Sequence, residues 1–227
     1  MVVNDGGGTG TVGYNPQEVD LVLKQINDEW EKIVLIADDM YQTKVISEIA
    51  ATWFAPEAQQ ACQKIVENEN SFLKNACIYF NHNNIKINDA AQKWADTVYA
   101  VHAVIPLSPV VNGCSKVDAS IVQASNNGFV GISDISRLEQ VVNNLEVIEK
   151  EIEEHSDKIY NIYTQHPAFI GADQMLELSR GYATLIGEHL YLTMAENKNM
   201  IKKVINETKE KYMQTAQANA QRFSSGN

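Results

Sequence analysis

The chain has 227 residues, enough for one large domain or two small ones with a substantial core. Its hydrophobic fraction of 44% and charged fraction of 21% are those of an ordinary globular protein. A formal charge of −11 repels phosphate backbones and anionic lipids, which argues against nucleic-acid or membrane-surface binding.

Residues 1–14 read as a flexible tail. Gly6-Gly7-Gly8-Thr9-Gly10 follows no strand and precedes no Gly-Lys-Ser/Thr, so it is not a phosphate loop. The segment has neither a charged leader nor an apolar stretch, so no classical signal peptide is expected. No apolar run approaches the roughly 18 residues that span a bilayer.

Residues 15–101 read as a first helical hairpin. Asn15-Pro16 suits an N-cap and first-turn proline, with Glu18 in the acidic first turn. Val19, Leu23, Ile26, Trp30, Ile33, Ala37 and Met40 recur at spacings of four and three, and the stripe is expected to run on through Ile46 and Ile49 to Trp53. The chain reverses at Trp53-Phe54-Ala55-Pro56, where proline suits the start of the next helix. That helix carries Ala58, Cys62, Ile65, Phe72, Ala76, Tyr79, Ile87, Trp94 and Val98, and Asn81-His82-Asn83-Asn84 predicts a kink or local break.

Residues 102–132 form a long connection with Pro106, Pro109, Gly113, Gly128 and Gly131. Segments 120–124 and 129–132, split by Ser125-Asn126-Asn127-Gly128, read as a small β-hairpin.

Residues 133–227 read as a second hairpin, capped by Ser133 or Asp134 or, alternatively, Ser136. Leu138, Val142, Leu145, Ile152 and Ile159 make its first stripe, flanked by Ile135 and Ile148. After a break at His166–Gly171 come Met175, Leu178, Tyr182, Leu185, Leu192, Met200 and Val204, and the polar stretch 214–225 is expected to fray. The two halves repeat one pattern nearly in register. The expected fold is therefore all-α: two long helical hairpins in tandem, forming an elongated four-helix bundle.

Catalytic, cofactor and metal chemistry find no support in the residues. His82, His102, His155, His166 and His189 include no HExxH and no pair at i, i+4. His189 lies on a stripe and reads as a packing residue. Asp38-Asp39 and Glu153-Glu154 are adjacent, so on a helix each pair points about 100° apart and shares no ligand. Cys62, Cys77 and Cys114 show no CxxC spacing, and the first two sit among apolar positions as small core residues. Lys202-Lys203, Lys209 and Lys211 are interleaved with Glu207 and Glu210, as on a solvated helix face.

Two long helices joined by Trp-x-small resemble the WXG-motif family of proteins exported by type VII secretion systems. Trp53 and Ala55 stand at that motif in the first repeat, with Ala in place of the family's Gly; Phe169 and Gly171 stand at it in the second, with Phe in place of Trp. The resemblance covers both repeats. It implies a non-enzymatic secretion substrate or partner protein without cofactors, working through a protein partner or self-association, with the secretion ATPase a further partner. It also implies export without a signal peptide. The family's Tyr-x-x-x-Asp/Glu signal does not follow the second helix of either repeat, although Tyr14 stands four before Glu18. A cytoplasmic or phage-derived structural bundle is the alternative. A pore-forming toxin is disfavoured because no long apolar hairpin exists, so stable membrane insertion is not expected.

Overall fold

A computed structural model describes residues 15–98, 117–166, 172–185 and 191–224, apart from the side chains of 172–176 and 191. The protein is an all-α helical bundle. In chain order come α1 (Pro16–Met40), a π-helical turn (Tyr41–Ile46), α2 (Ser47–Thr52), β1 (Trp53–Phe54) and α3 (Pro56–Thr97). A 3-10 turn (Ala119–Ile121), β2 (Gly131–Ile132), α4 (Ile135–Gln165), α5 (Ala172–Leu185) and α6 (Tyr191–Ser224) follow. Among the described residues, no helix is long and apolar enough to cross a membrane. The tail, Cys114, His102, His189, Phe169 and Gly171 lie outside the described residues, as does all of the 102–116 stretch with its two prolines.

The expected caps are in place. Asn15 Oδ1 accepts from the backbone N–H of Gln17 and Glu18 at 3.1 and 3.3 Å. Asp134 Oδ1 accepts from Arg137 N at 2.9 Å and starts α4. Each side chain thereby satisfies donors that the first helical turn leaves open.

The first stripe reaches Trp53 by a route the spacing alone did not reveal. Continued at three and four after Met40, it would fall on Lys44, Ser47 and Ala51. The wider π turn adds one residue and moves the buried face to Tyr41, Val45, Ile46 and Ile49 instead. A carbonyl in the widened turn finds a new partner: Asn144 Nδ2 donates to Lys44 O at 2.7 Å.

α3 runs for 42 residues, about 63 Å at helical rise, with no break at residues 81–84. The expected local break is therefore not there. Asn83 and Asn84 are buried, and Asn84 Nδ2 donates to Asn27 Oδ1 of α1 at 3.2 Å. Asn88 Nδ2 in turn donates to Asn84 O at 3.2 Å. Polar groups that compete with the helix backbone when solvated are here engaged within and between helices.

Two further stripes differ from expectation. α4 buries Leu138, Val141, Leu145, Ile148, Ile152, Ser156, Ile159 and Tyr163, so Val141 and Ile148 replace Val142 and Ile135 on the core face. α6 buries Met194, Asn197, Ile201, Ile205 and Thr208, while Leu192 is 59% exposed. Two polar members disguised that stripe. Of the stretch 214–225, expected to fray, residues 214–224 are helical with exposed side chains, and 225 lies outside the described residues.

Contacts divide the chain into two compact units, and each takes segments from both sequence halves. The first comprises Met1–Ile36, Asn70–Cys114 and Glu151–Tyr191; the second comprises Ala37–Glu69, Ser115–Lys150 and Leu192–Asn227. In the first unit, Trp30 stacks on Phe80 at 4.5 Å between centroids, and Tyr182 joins Phe80 and Tyr163 at 5.5 and 6.0 Å. His155 Nδ1 lies 2.5 Å from Glu29 Oε2, and His166 Nδ1 lies 2.9 Å from Glu18 Oε1, both linking α4 to α1. Burial pushes the Glu29 carboxyl up, but hydrogen bonds from Lys32 and His155 outweigh it and hold the group below its ordinary value. In the second unit, Val45, Ile46, Ile49, Trp53, Ala58, Cys62 and Ile65, and likewise Leu138, Leu145, Ile201 and Ile205, are buried core residues.

Candidate recognition site at the helical bend

The bend between α2 and α3 lies wholly in the second unit. Thr52 ends α2 with its hydroxyl donating to Glu48 O at 2.7 Å. Trp53 leaves the helix in an extended conformation, φ −127° and ψ 110°. Pro56 then opens α3, and Ala58 N donates to Ala55 O at 3.1 Å. Ala55 is fully buried, so a small side chain suits the close packing at the reversal. Trp53 beside it is 0% exposed, so the reversal buries a large aromatic ring as well as a small side chain.

The expected β-hairpin at 120–124 and 129–132 takes a different form. Asn126 and Phe129 exchange both backbone hydrogen bonds, at 2.9 and 2.8 Å, around Asn127 and Gly128, whose φ values are +50° and +83°. That is the positive-φ pattern of a primed two-residue turn. Beyond this bridge the strands part. Residues 119–121 form a 3-10 turn, and β2 pairs antiparallel with β1, matching Trp53 to Ile132 and Phe54 to Gly131. The physical reason is the exposed edge of the bend: Trp53 and Phe54 carry backbone groups that no helix satisfies, and β2 meets them.

Further bonds pin the connection to the bend. Ser133 donates from its backbone N and its hydroxyl to Thr52 O at 2.8 and 3.1 Å. Gln59 Nε2 donates to Val122 O at 2.9 Å. Arg137 donates from Nε and Nη2 to the two oxygens of Glu48, and this guanidinium holds the Glu48 carboxyl below its ordinary range despite partial burial. Phe129 packs edge-on to Phe54 at 6.2 Å between centroids, yet stays half exposed. Val130, Ile121 and Ile135 are also exposed apolar residues of this segment. On the α6 side, burial raises the Tyr212 hydroxyl above its ordinary value, Glu57 adds to the rise and the Trp53 indole opposes it.

Of the four motif positions, the structure therefore describes Trp53 and Ala55 and brings them together at one buried reversal. Phe169 and Gly171 lie outside the described residues. Sequence reading placed Phe54 in the reversal and 129–132 in a β segment, but did not bring the two together, and it missed the Glu48–Arg137 pair and the place of Tyr212 beside the bend. The Asn127-Gly128 turn before an apolar run signalled a local hairpin, but the partners of β2 in β1 lie 77 and 79 residues away in sequence. Compared with protein-family models, curated proteins and solved structures, the chain matches none.

Chemically, the bend offers shape and apolar surface. Among the described residues, no group of three His, Cys, Asp or Glu side chains is placed to hold a metal ion. Cys62, the nearest thiol in sequence, is buried and its pKa is pushed up to about 12, so it is a poor nucleophile in the folded chain.

Proposed function

We propose that this chain is a non-enzymatic helical substrate or partner protein of a type VII secretion system, acting by protein–protein contact. The observation that carries this reading is the Trp53-x-Ala55 reversal between two long helical runs, with both side chains buried. The apolar residues Phe129 and Val130, held beside that reversal yet exposed, are a surface of the kind that protein partners cover. In this reading the chain is exported without a cleaved signal peptide, and its recognition by the secretion machinery uses the exposed apolar residues Phe129 and Val130 beside the bend.

The test compares this protein in culture supernatant and in cells, with and without the secretion ATPase. ATPase-dependent appearance outside the cell supports the proposal. Retention in both strains overturns export and leaves a cytoplasmic partner or structural bundle that shares only the bend geometry.

A further inference from the structure

The turn between Asn126 and Phe129 carries a chemical reactivity of its own, independent of the function proposed above. Among the described residues, Asn127 is the one asparagine followed by glycine. Asn127 and Gly128 form the tip of the turn, at φ +50° and +83°, and both are exposed. Asn126 and Phe129 bond to each other's backbone at 2.9 and 2.8 Å, which leaves the two tip residues out of the pairing. Neither the Gly128 N–H nor the Asn127 carboxamide makes a hydrogen bond among the described residues. A methyl group built at Gly128 would meet nothing within 4 Å, so the surroundings of its nitrogen are open.

Two groups able to react with each other are therefore adjacent, solvated and unengaged. The Gly128 backbone nitrogen, once water or hydroxide has taken its proton, attacks Cγ of the Asn127 side chain. The N–Cγ bond forms, the Cγ–Nδ2 bond breaks, and ammonia leaves with a proton from water, closing a cyclic imide. Water then opens the ring. Opening at Cγ leaves an aspartyl residue. Opening at the main-chain carbonyl leaves an isoaspartyl link, in which the backbone runs through Cβ and Cγ and is one methylene longer. Asn206 and Asn219 are exposed too, but they lie inside α6, where the N–H of the following residue belongs to the helix ladder.

We propose that Asn127-Gly128 is a self-modifying site, which converts in the folded chain to aspartyl and isoaspartyl forms without an enzyme or cofactor. The two products act differently on the bend. Asp-Gly suits the same primed turn as Asn-Gly, so the aspartyl form keeps the turn and adds a negative charge beside the exposed Phe129 and Val130. The isoaspartyl form lengthens the backbone between the two bonds that Asn126 and Phe129 exchange, and the turn cannot keep both. Phe129 stands edge-on to Phe54 of β1, and its ring lies over Gly131 of β2. Loss of the turn therefore loosens the contact between the two strands.

The test incubates the full folded chain in mildly alkaline buffer and follows the amide-to-acid mass gain at each asparagine by peptide mass spectrometry. Isoaspartyl methyltransferase serves as the probe for the isoaspartyl link. Asn127 should convert at least about tenfold faster than Asn206 and Asn219, equivalent to about 1.4 kcal/mol less activation free energy. Asn127→Asp should melt as the parent does, while the aged chain enriched in the isoaspartyl form melts at a lower temperature. Conversion of Asn127 no faster than that of Asn206 and Asn219 overturns the site, since the turn then holds the nitrogen out of reach of Cγ. An isoaspartyl chain that melts like Asn127→Asp overturns the effect on the bend.

Discussion

Arg137 grips both carboxylate oxygens of Glu48, so that the first turn of α4 is tied to α2 one turn before the chain reverses at Trp53. The guanidinium matches the carboxylate with two parallel N–H donors. It is the paired geometry, more than charge alone, that sets this contact apart from the single-contact surface pairs such as Lys203 with Glu207.

That pair has a pH signature. The Glu48 carboxyl is held below its ordinary value in the folded chain, so its contribution is present above the unfolded pKa and is lost as pH falls through the folded one. Arg137→Gln should cost about 0.5–1 kcal/mol at pH 7, the range of partly exposed ion pairs. Urea denaturation repeated at steps below pH 4.5 should show this difference shrinking towards zero. A constant difference would mean that Arg137 acts through packing alone.

Trp53→Ala should lower stability by about 3–5 kcal/mol, because a fully buried ring leaves a cavity that a tight bend cannot fill. Trp53→Phe should cost less, since a buried aromatic ring remains. Chemical denaturation midpoints with unchanged slopes are the readout. An unaltered midpoint for the alanine variant would refute the burial of the ring.

Asn84→Ala strips Asn27 Oδ1 of its donor at a buried site, and should cost about 1–3 kcal/mol. Replacing both residues by leucine removes the unmet group and should recover much of that loss. A double variant no more stable than Asn84→Ala would show that the pair contributes more than mutual satisfaction.

Gly181 offers a test in which the sign changes with the background. A Cβ there would lie 2.6 Å from Tyr79 Oη, which is itself held by Leu178 O. Gly181→Ala should therefore lower the melting temperature of the parent chain, the clash outweighing the roughly 1 kcal/mol gained in helix propensity. In a Tyr79→Phe background the nearest remaining atom lies at 3.4 Å, an ordinary contact, and the same substitution should stabilise. Stabilisation in both backgrounds would show that the Tyr79 ring moves aside freely.

Local rules were enough for the helical class, for the Asn15 cap, and for Trp53-Phe54-Ala55-Pro56 as the reversal that opens α3, whereas Asp134 was one of three candidate caps for α4. These follow from apolar spacing, side-chain oxygens placed for open N–H groups, and a proline that cannot sit inside a helix. Tertiary contact decided the rest. Whether Asn81–Asn84 breaks α3 depends on Asn27, which lies more than 50 residues away in sequence and satisfies Asn84. The π turn at Tyr41–Ile46 exists because one inserted residue restores the buried face, a gain visible only when the other helices are present. β2 likewise adopts the bend as its partner because Trp53 and Phe54 leave backbone groups unmet at just that place. Periodicity records which residues prefer burial, but not which distant polar groups will meet, since each pairing is decided by the shape that the whole chain has already assumed.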